Sequence, residues 1–272
     1  MGAGGELVSG AIFAIGGHED KTGSREILHA VIEALPRPKL GLVTVASRHP
    51  HKLFDTYRDA FADLGVTELV HVHIEERAEA RDPTILEGVG GLFFTGGDQL
   101  GITTLLGDTA LERGMFDAWH AGCVIAGTSA GASVLTETMV VRGAAEEGAR
   151  IGDVSMAPGL GMLHGLIVDQ HFAERGRITR LVSAVTANPR LVGVGIDEDT
   201  AIVVADGDFE VLGQGSVTVL DASGLTATNL AEGSIGSPLS AFDLCGHVLA
   251  AGDGFDIASR RPRSRSRVGD GG

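Results

Sequence analysis

The chain has 272 residues, 43% of them hydrophobic and 21% charged, with a formal net charge of -15. That length supports a sizeable core, and the composition excludes disorder over most of the chain. The negative charge argues against nucleic acid and anionic membrane as partners, and two distant cysteines, Cys123 and Cys245, do not make a secreted disulfide framework or a zinc site.

The first residues lack a basic region followed by a long apolar run, and no apolar stretch approaches membrane-spanning length. A cytoplasmic location is therefore expected. Apolar runs bounded by Gly or Pro then alternate with helix-period segments: a strand over residues 11–15, a helix over 24–35, a strand over 40–45 and a helix over 53–64. Strands at 69–72 and 91–95, a helix at 111–120 and a strand at 124–126 continue the βαβ rhythm. Such continuous apolar strands imply burial on both faces, hence a parallel sheet between helices. After Leu191 the pattern changes to strands joined by short turns, at 191–196, 200–205, 209–212 and 216–220, with Asp206-Gly207-Asp208 as a hairpin loop. These are expected to extend the same sheet in antiparallel fashion. One α/β domain over residues 1–258 follows, with 259–272 as a disordered tail carrying Arg260, Arg261, Arg263, Arg265 and Arg267.

The strongest chemical signal is Gly127-Thr128-Ser129-Ala130-Gly131. A buried strand running into a G-x-S-x-G turn and a small-residue helix start is the setting of a nucleophile elbow, in which bulky neighbours would collide with strand and substrate. Ser129 is the expected nucleophile, and the Ala130 N–H one oxyanion donor. Packing alone, or the cradling of a phosphate, is the competing reading of such a turn. The loop Phe94-Thr95-Gly96-Gly97-Asp98-Gln99 also follows a buried strand, so it converges on the same crevice; the Gly97 N–H is the candidate second donor, with Asp98 and Gln99 at the rim.

A third cluster, Asp169-Gln170-His171, ends the apolar run at 165–168. A serine hydroxyl is a poor nucleophile at neutral pH and needs an imidazole within hydrogen-bond reach, which His171 supplies. Arg175, Arg177 and Arg180 read either as a solvated helix face or as a clamp for substrate carboxylates. For the acid that orients the imidazole, Glu198 in Asp197-Glu198-Asp199 and Glu147 are rivals.

The motifs FTGGDQ, GTSAGAS, DQHFAERGRITRL and GIDEDTA, in that order, resemble the cyanophycinase family of serine peptidases, related to dipeptidase E. The resemblance runs from about Ala14 to Val204 and includes Gly16-Gly17-His18-Glu19-Asp20-Lys21, where a residue smaller than His18 is expected. It implies a flavodoxin-like variant of the class I glutamine amidotransferase fold, a three-layer sandwich, and a homodimer. It also implies hydrolysis of cyanophycin, a poly-aspartate bearing arginine on each β-carboxyl, to β-Asp-Arg dipeptides from the C-terminal end. Ser129 and His171 then match nucleophile and base, and Gln99, Asp169, Gln170, Arg175, Arg177 and Arg180 match substrate-recognition positions. No metal and no organic cofactor is implied.

In chemical terms, arginines suit the carboxylates of such a polymer, whereas Asp169, Gln99 and Gln170 suit a pendant guanidinium. The nearest alternative is a dipeptidase for short aspartyl or isoaspartyl peptides. A non-catalytic binding protein on the same fold would not need Ser129 together with His171, and an α/β-hydrolase esterase would need a late catalytic histidine, for which only His247 is available.

Overall fold

A computed structural model of the chain describes residues 9–143 and 148–265. The apolar runs form β1 (Ile12–Ile15), β2 (Lys39–Val43), β3 (Glu68–Val72), β4 (Gly91–Phe94) and β5 (Val124–Thr128). Between them lie α1 (Glu26–Glu33), α2 (Pro50–Ala62), α3 (Gln99–Leu106) and α4 (Ala110–His120). The short α5 (Ala130–Ser133) follows β5, and a hairpin of β6 (Thr138–Arg142) and β7 (Ser155–Pro158) leads to β8 (Leu166–Gln170), α6 (Ile178–Ala187) and β9 (Val192–Ile196). The chain ends through β10 (Thr200–Ala205), β11 (Asp208–Gly213), β12 (Val217–Asp221), β13 (Cys245–Leu249), β14 (Gly254–Asp256) and β15 (Arg261–Arg263).

The main sheet has nine strands in the order β15-β14-β11-β10-β1-β5-β4-β2-β3. From β1 to β3 the pairings are parallel, and from β1 to β15 they are antiparallel. Alternation along each strand fills both faces: Phe13, Ile15 and Phe93 pack against Ile27, Leu28, Tyr57 and Phe61 of α1 and α2. Ile12, Ala14, Leu92 and Phe94 face the other way, towards Ile102, Leu106, Leu111 and Met115 of α3 and α4. Burying a side chain such as Phe61 contributes about 2–3 kcal/mol. The result is a mixed α/β fold.

Two expectations change. Residues 191–196 and 216–220 do not extend the main sheet; β9 and β12 join β8 and β13 in a separate four-stranded sheet of order β13-β12-β9-β8. Its apolar face, including Val168, Val194 and Val219, merges with the core beneath the main sheet, while Gly193 and Gly195 leave room on the opposite face for Leu181, Val185 and Phe172. Strand periodicity reports which face is apolar, not which sheet a strand joins. The tail expected from residue 259 is structured up to Arg265: β15 pairs with β14, Arg263 Nη2 lies 2.5 Å from Asp208 Oδ2, and Arg260 is paired with Asp221. Residues 266–272 lie outside the described residues. Among those described, no helix is long and apolar enough to cross a membrane.

Candidate active site

Because β1, β5 and β4 are parallel neighbours, the loops after Ile15, Thr128 and Phe94 emerge side by side. In the second sheet, β8 and β9 are parallel with Gln170 opposite Ile196, which brings His171 and Glu198 together.

Ser129 follows β5 at φ 56°, ψ -121°, a conformation that is strained for a residue with a Cβ. The turn is fixed by the Ser129 N–H donating to Ile15 O at 3.0 Å and by the Ala132 and Ser133 N–H groups donating to Ser129 O. A Cβ on Gly127 would collide with the Gly131 carbonyl, and one on Gly131 with that of Phe94, so the small residues are required by close backbone approach. Behind the turn, Thr128 Oγ1 donates to Glu19 Oε2 at 2.6 Å, and Tyr57 donates to the other oxygen of this buried carboxylate. Lys21 Nζ lies 2.9 Å from Glu19 Oε1. Glu19 thus ties the first loop, the elbow and α2 together. The sequence offered it only as part of a motif, with no local sign of what it grips.

His171 also has a positive φ, 47°, held by its N–H donating to Gly16 O at 2.8 Å. Gly17 is needed beside it, since a Cβ there would run into the imidazole. His171 Nε2 lies 2.9 Å from Ser129 Oγ, and Nδ1 lies 2.6 Å from Glu198 Oε1. A carboxylate only accepts, so the imidazole proton is assigned to Nδ1 and Nε2 is left to accept from the serine hydroxyl. Burial lowers the His171 pKa, the nearby Arg175 and His18 charges lower it further, and the bond to Glu198 opposes them. Burial alone would raise Glu198, but hydrogen bonds from His171 and His18 outweigh it and hold the carboxyl below its ordinary value. Flanking Glu198, Asp197 accepts from the Ala173 and Ser216 N–H groups, and Asp199 accepts from the Asp20 N–H. Those two carboxylates brace loops, and Glu198 alone of the three reaches the imidazole. Its rival, Glu147, lies outside the described residues.

Gly97 follows Gly96, which abuts the nucleophile: a Cβ on Gly96 would lie 3.3 Å from Ser129 Cβ. Among the described residues no hydrogen bond engages the Gly97 or Ala130 N–H. Gln170 Oε1 lies 3.4 Å from Ser129 Oγ, at the site. Gln99 is turned into the protein, its Nε2 donating to Val140 O at 2.7 Å. Asp98 serves as the N-cap of α3, accepting from the Leu100 and Gly101 N–H groups. His247 sits on β13 with Nε2 3.5 Å from Cys245 Sγ, and none of its recorded contacts is with Ser129.

The largest departure concerns Asp169. Only 1% exposed, it accepts from Arg177 Nη1 at 3.1 Å, from Arg180 Nε at 2.8 Å and Nη2, and from the Gln170 N–H at 3.0 Å. Both carboxylate oxygens are occupied within the protein, so it holds two internal guanidiniums where a substrate guanidinium was expected. Arg177 and Arg180 are correspondingly buried and do not form a solvated face. Burial pulls the Arg177 guanidinium down to about 10 against the pull of Asp169. Arg175, by contrast, is exposed and close enough for its charge to bear on His171.

Comparison with known proteins identifies the family. A cyanophycinase of Synechococcus elongatus is 39% identical over 259 residues, spanning 93% of this chain and 80% of the relative. One of Trichormus variabilis is 38% identical, spanning 92% and 86%. Among solved structures, a peptidase from an acI-B1 Actinobacterium superposes with a TM-score of 0.64 at 20% identity, over 92% of this chain and 98% of that one, a likeness of fold. The model of peptidase family S51 matches residues 12–212, and the chain belongs to that family.

Proposed function

We propose that the protein is a cyanophycinase, a serine exopeptidase that releases β-Asp-Arg dipeptides from the C-terminal end of cyanophycin. The observation that carries the reading is the unbroken relay from Ser129 Oγ through His171 to Glu198, at 2.9 Å and 2.6 Å. The substrate class rests on the relatives named cyanophycinase at 38–39% identity.

In the proposed reaction His171 Nε2 takes the hydroxyl proton as Ser129 Oγ attacks a backbone carbonyl of the polymer. The Gly97 and Ala130 N–H groups donate to the oxyanion, Glu198 stabilises the imidazolium, and His171 passes its proton to the leaving amine. Water activated by His171 then splits the acyl-enzyme and restores the serine. Gln170, whose Oε1 lies 3.4 Å from Ser129 Oγ, and the exposed Arg175, whose charge bears on His171, receive the substrate's pendant arginine and terminal carboxylate. Asp169 takes part indirectly, by fixing Arg177 and Arg180 beside the Gln170 backbone, while Gln99 secures the wall formed by β6.

The same reading extends to the fold, a flavodoxin-like variant of the class I glutamine amidotransferase architecture with Ser129 in a nucleophile elbow. It also covers a single catalytic domain over residues 1–258, a cytoplasmic homodimer, and a surface whose charge turns away nucleic acid and anionic membrane.

The test is incubation with purified cyanophycin and, separately, with α-Asp-Arg, β-Asp-Arg and Asp-Leu, followed by chromatography. Release of β-Asp-Arg from the polymer is expected, with loss of turnover in Ser129→Ala while its circular dichroism is unchanged. An intact polymer beside split dipeptides would replace the proposal with a dipeptidase, and an active Ser129→Ala would overturn the nucleophile.

A further inference from the structure

His18 stands at the position where a smaller residue is expected, and the relay described above does not use it. Its backbone is left-handed, with φ 48°, and Nδ1 lies 2.8 Å from Glu198 Oε2. The two oxygens of one carboxylate are therefore shared between two imidazoles, Oε1 with His171 and Oε2 with His18. The rings meet edge to face with centroids 5.1 Å apart, and one donor atom from each of His18, His171 and Glu198 lies within 4.8 Å of the other two. The His18 side chain is 72% exposed and Glu198 25%, whereas His171 is 4% exposed. The cluster is thus open to solvent at His18 and sealed at His171.

We propose that His18, His171 and Glu198 form an inhibitory site for a divalent transition metal of the zinc class. Two imidazole nitrogens and a carboxylate oxygen are a donor set that zinc accepts, with water completing a tetrahedron. Donors about 2.0–2.2 Å from a shared ion stand roughly 3.3–3.6 Å apart. The His171–Glu198 and His18–Glu198 pairs, at 2.6 Å and 2.8 Å, are closer than that, so the partly exposed Glu198 carboxylate and the exposed His18 ring both shift to admit the ion.

Binding requires each imidazole to give up the proton on Nδ1 and carry one on Nε2 instead, taken from solvent, so no net proton is released. The consequence falls on His171. With Nδ1 on the metal and its proton on Nε2, it donates to Ser129 Oγ and can no longer accept from it, and Glu198 no longer orients the imidazole as a base. Catalysis stops. The inhibition rests on the peptidase reading above; the binding does not.

Zn2+ titrated into wild-type protein hydrolysing cyanophycin should inhibit it, reversibly on addition of EDTA, with Mg2+ ineffective. In His18→Asn, the half-inhibitory Zn2+ concentration should rise by about tenfold or more. Asparagine tolerates the left-handed backbone and lacks the imidazole, so this variant retains the loop. Each inhibition is read against the variant's own metal-free rate, whatever that rate is. Independently of turnover, Co2+ added to Ser129→Ala should give the visible bands of a tetrahedral ion, and Ser129→Ala/His18→Asn should lose them. Equal Zn2+ sensitivity of wild type and His18→Asn overturns the site, as does a Co2+ spectrum that survives in the double variant. If the wild type does not split cyanophycin, the peptidase reading fails and the Co2+ spectra still decide the site.

Discussion

Two places in the molecule put one carboxylate between two basic side chains. Glu198 sits between His171 and His18; Asp169 sits between Arg177 and Arg180. They differ in what the bases can do. Imidazoles change charge near neutral pH and guanidiniums do not, so the first cluster can move a proton and the second can only hold a charge. They also differ in burial. Glu198 keeps a quarter of its side chain exposed, and Asp169 is 1% exposed. An acid at a reacting centre is open to solvent and adjustable, whereas one that anchors a scaffold is sealed with each oxygen engaged.

Glu198→Gln should strike the first cluster with the largest effect, lowering kcat by about 10^4-fold because the amide favours the wrong imidazole tautomer. Thermal unfolding should shift by less than about 1 kcal/mol. Asp169→Asn should do the reverse. It leaves two buried guanidiniums without their counter-charge and should destabilise by about 3–5 kcal/mol in urea unfolding. If Asp169→Asn folds with wild-type stability and loses only activity, the division between chemistry and scaffold breaks. A smaller effect of opposite sign is expected at the elbow: Ser129→Gly relieves the φ of 56° and should raise stability by about 1 kcal/mol, with no turnover.

The loops that carry Ser129, His171 and Glu198 were legible in the sequence because each follows an uninterrupted apolar run, although β5 lies in one sheet and β8 and β9 in the other. Ser129 and His171 could be named on that ground, whereas Glu198 shared its candidacy with Glu147. The partnership of Asp169 could not, since Arg177 and Arg180 stand 8 and 11 positions away and pair with it only because the chain turns back after β8. The basic residues read as one patch separate accordingly into two buried guanidiniums and an exposed Arg175. The second sheet was hidden for a related reason: in Val192-Gly193-Val194-Gly195 the alternation shows an apolar face and a bare one, and only packing reveals that Phe172, Leu181 and Val185 cover the bare face. Glu19 entered only as part of a motif, with no sign of its role, because a charged residue in a loop after a strand is ordinarily solvated, and its burial depends on Tyr57 and Thr128 arriving from elsewhere.

The finest comparison is between the groups whose charges bear on the titrating imidazole. His171 must be neutral at Nε2 to accept the serine proton, so kcat/KM should fall as pH drops through its pKa. Burial sets that pKa below the ordinary 6.5, with the charges of Arg175 and His18 acting in the same sense and Glu198 against them. The acid limb of the profile, measured in metal-free buffer, should therefore lie below pH 6.5 and leave the enzyme active into mildly acid solution. Arg175→Gln removes the guanidinium charge, which makes the imidazolium easier to form and moves the limb to higher pH. Substrate affinity should weaken as well if Arg175 meets a carboxylate, yet kcat/KM at alkaline pH and the position of the limb are separate readings. A limb that stays in place or moves to lower pH would show that Arg175 does not act on His171. The lowered pKa would then come from burial and His18, against the pull of Glu198.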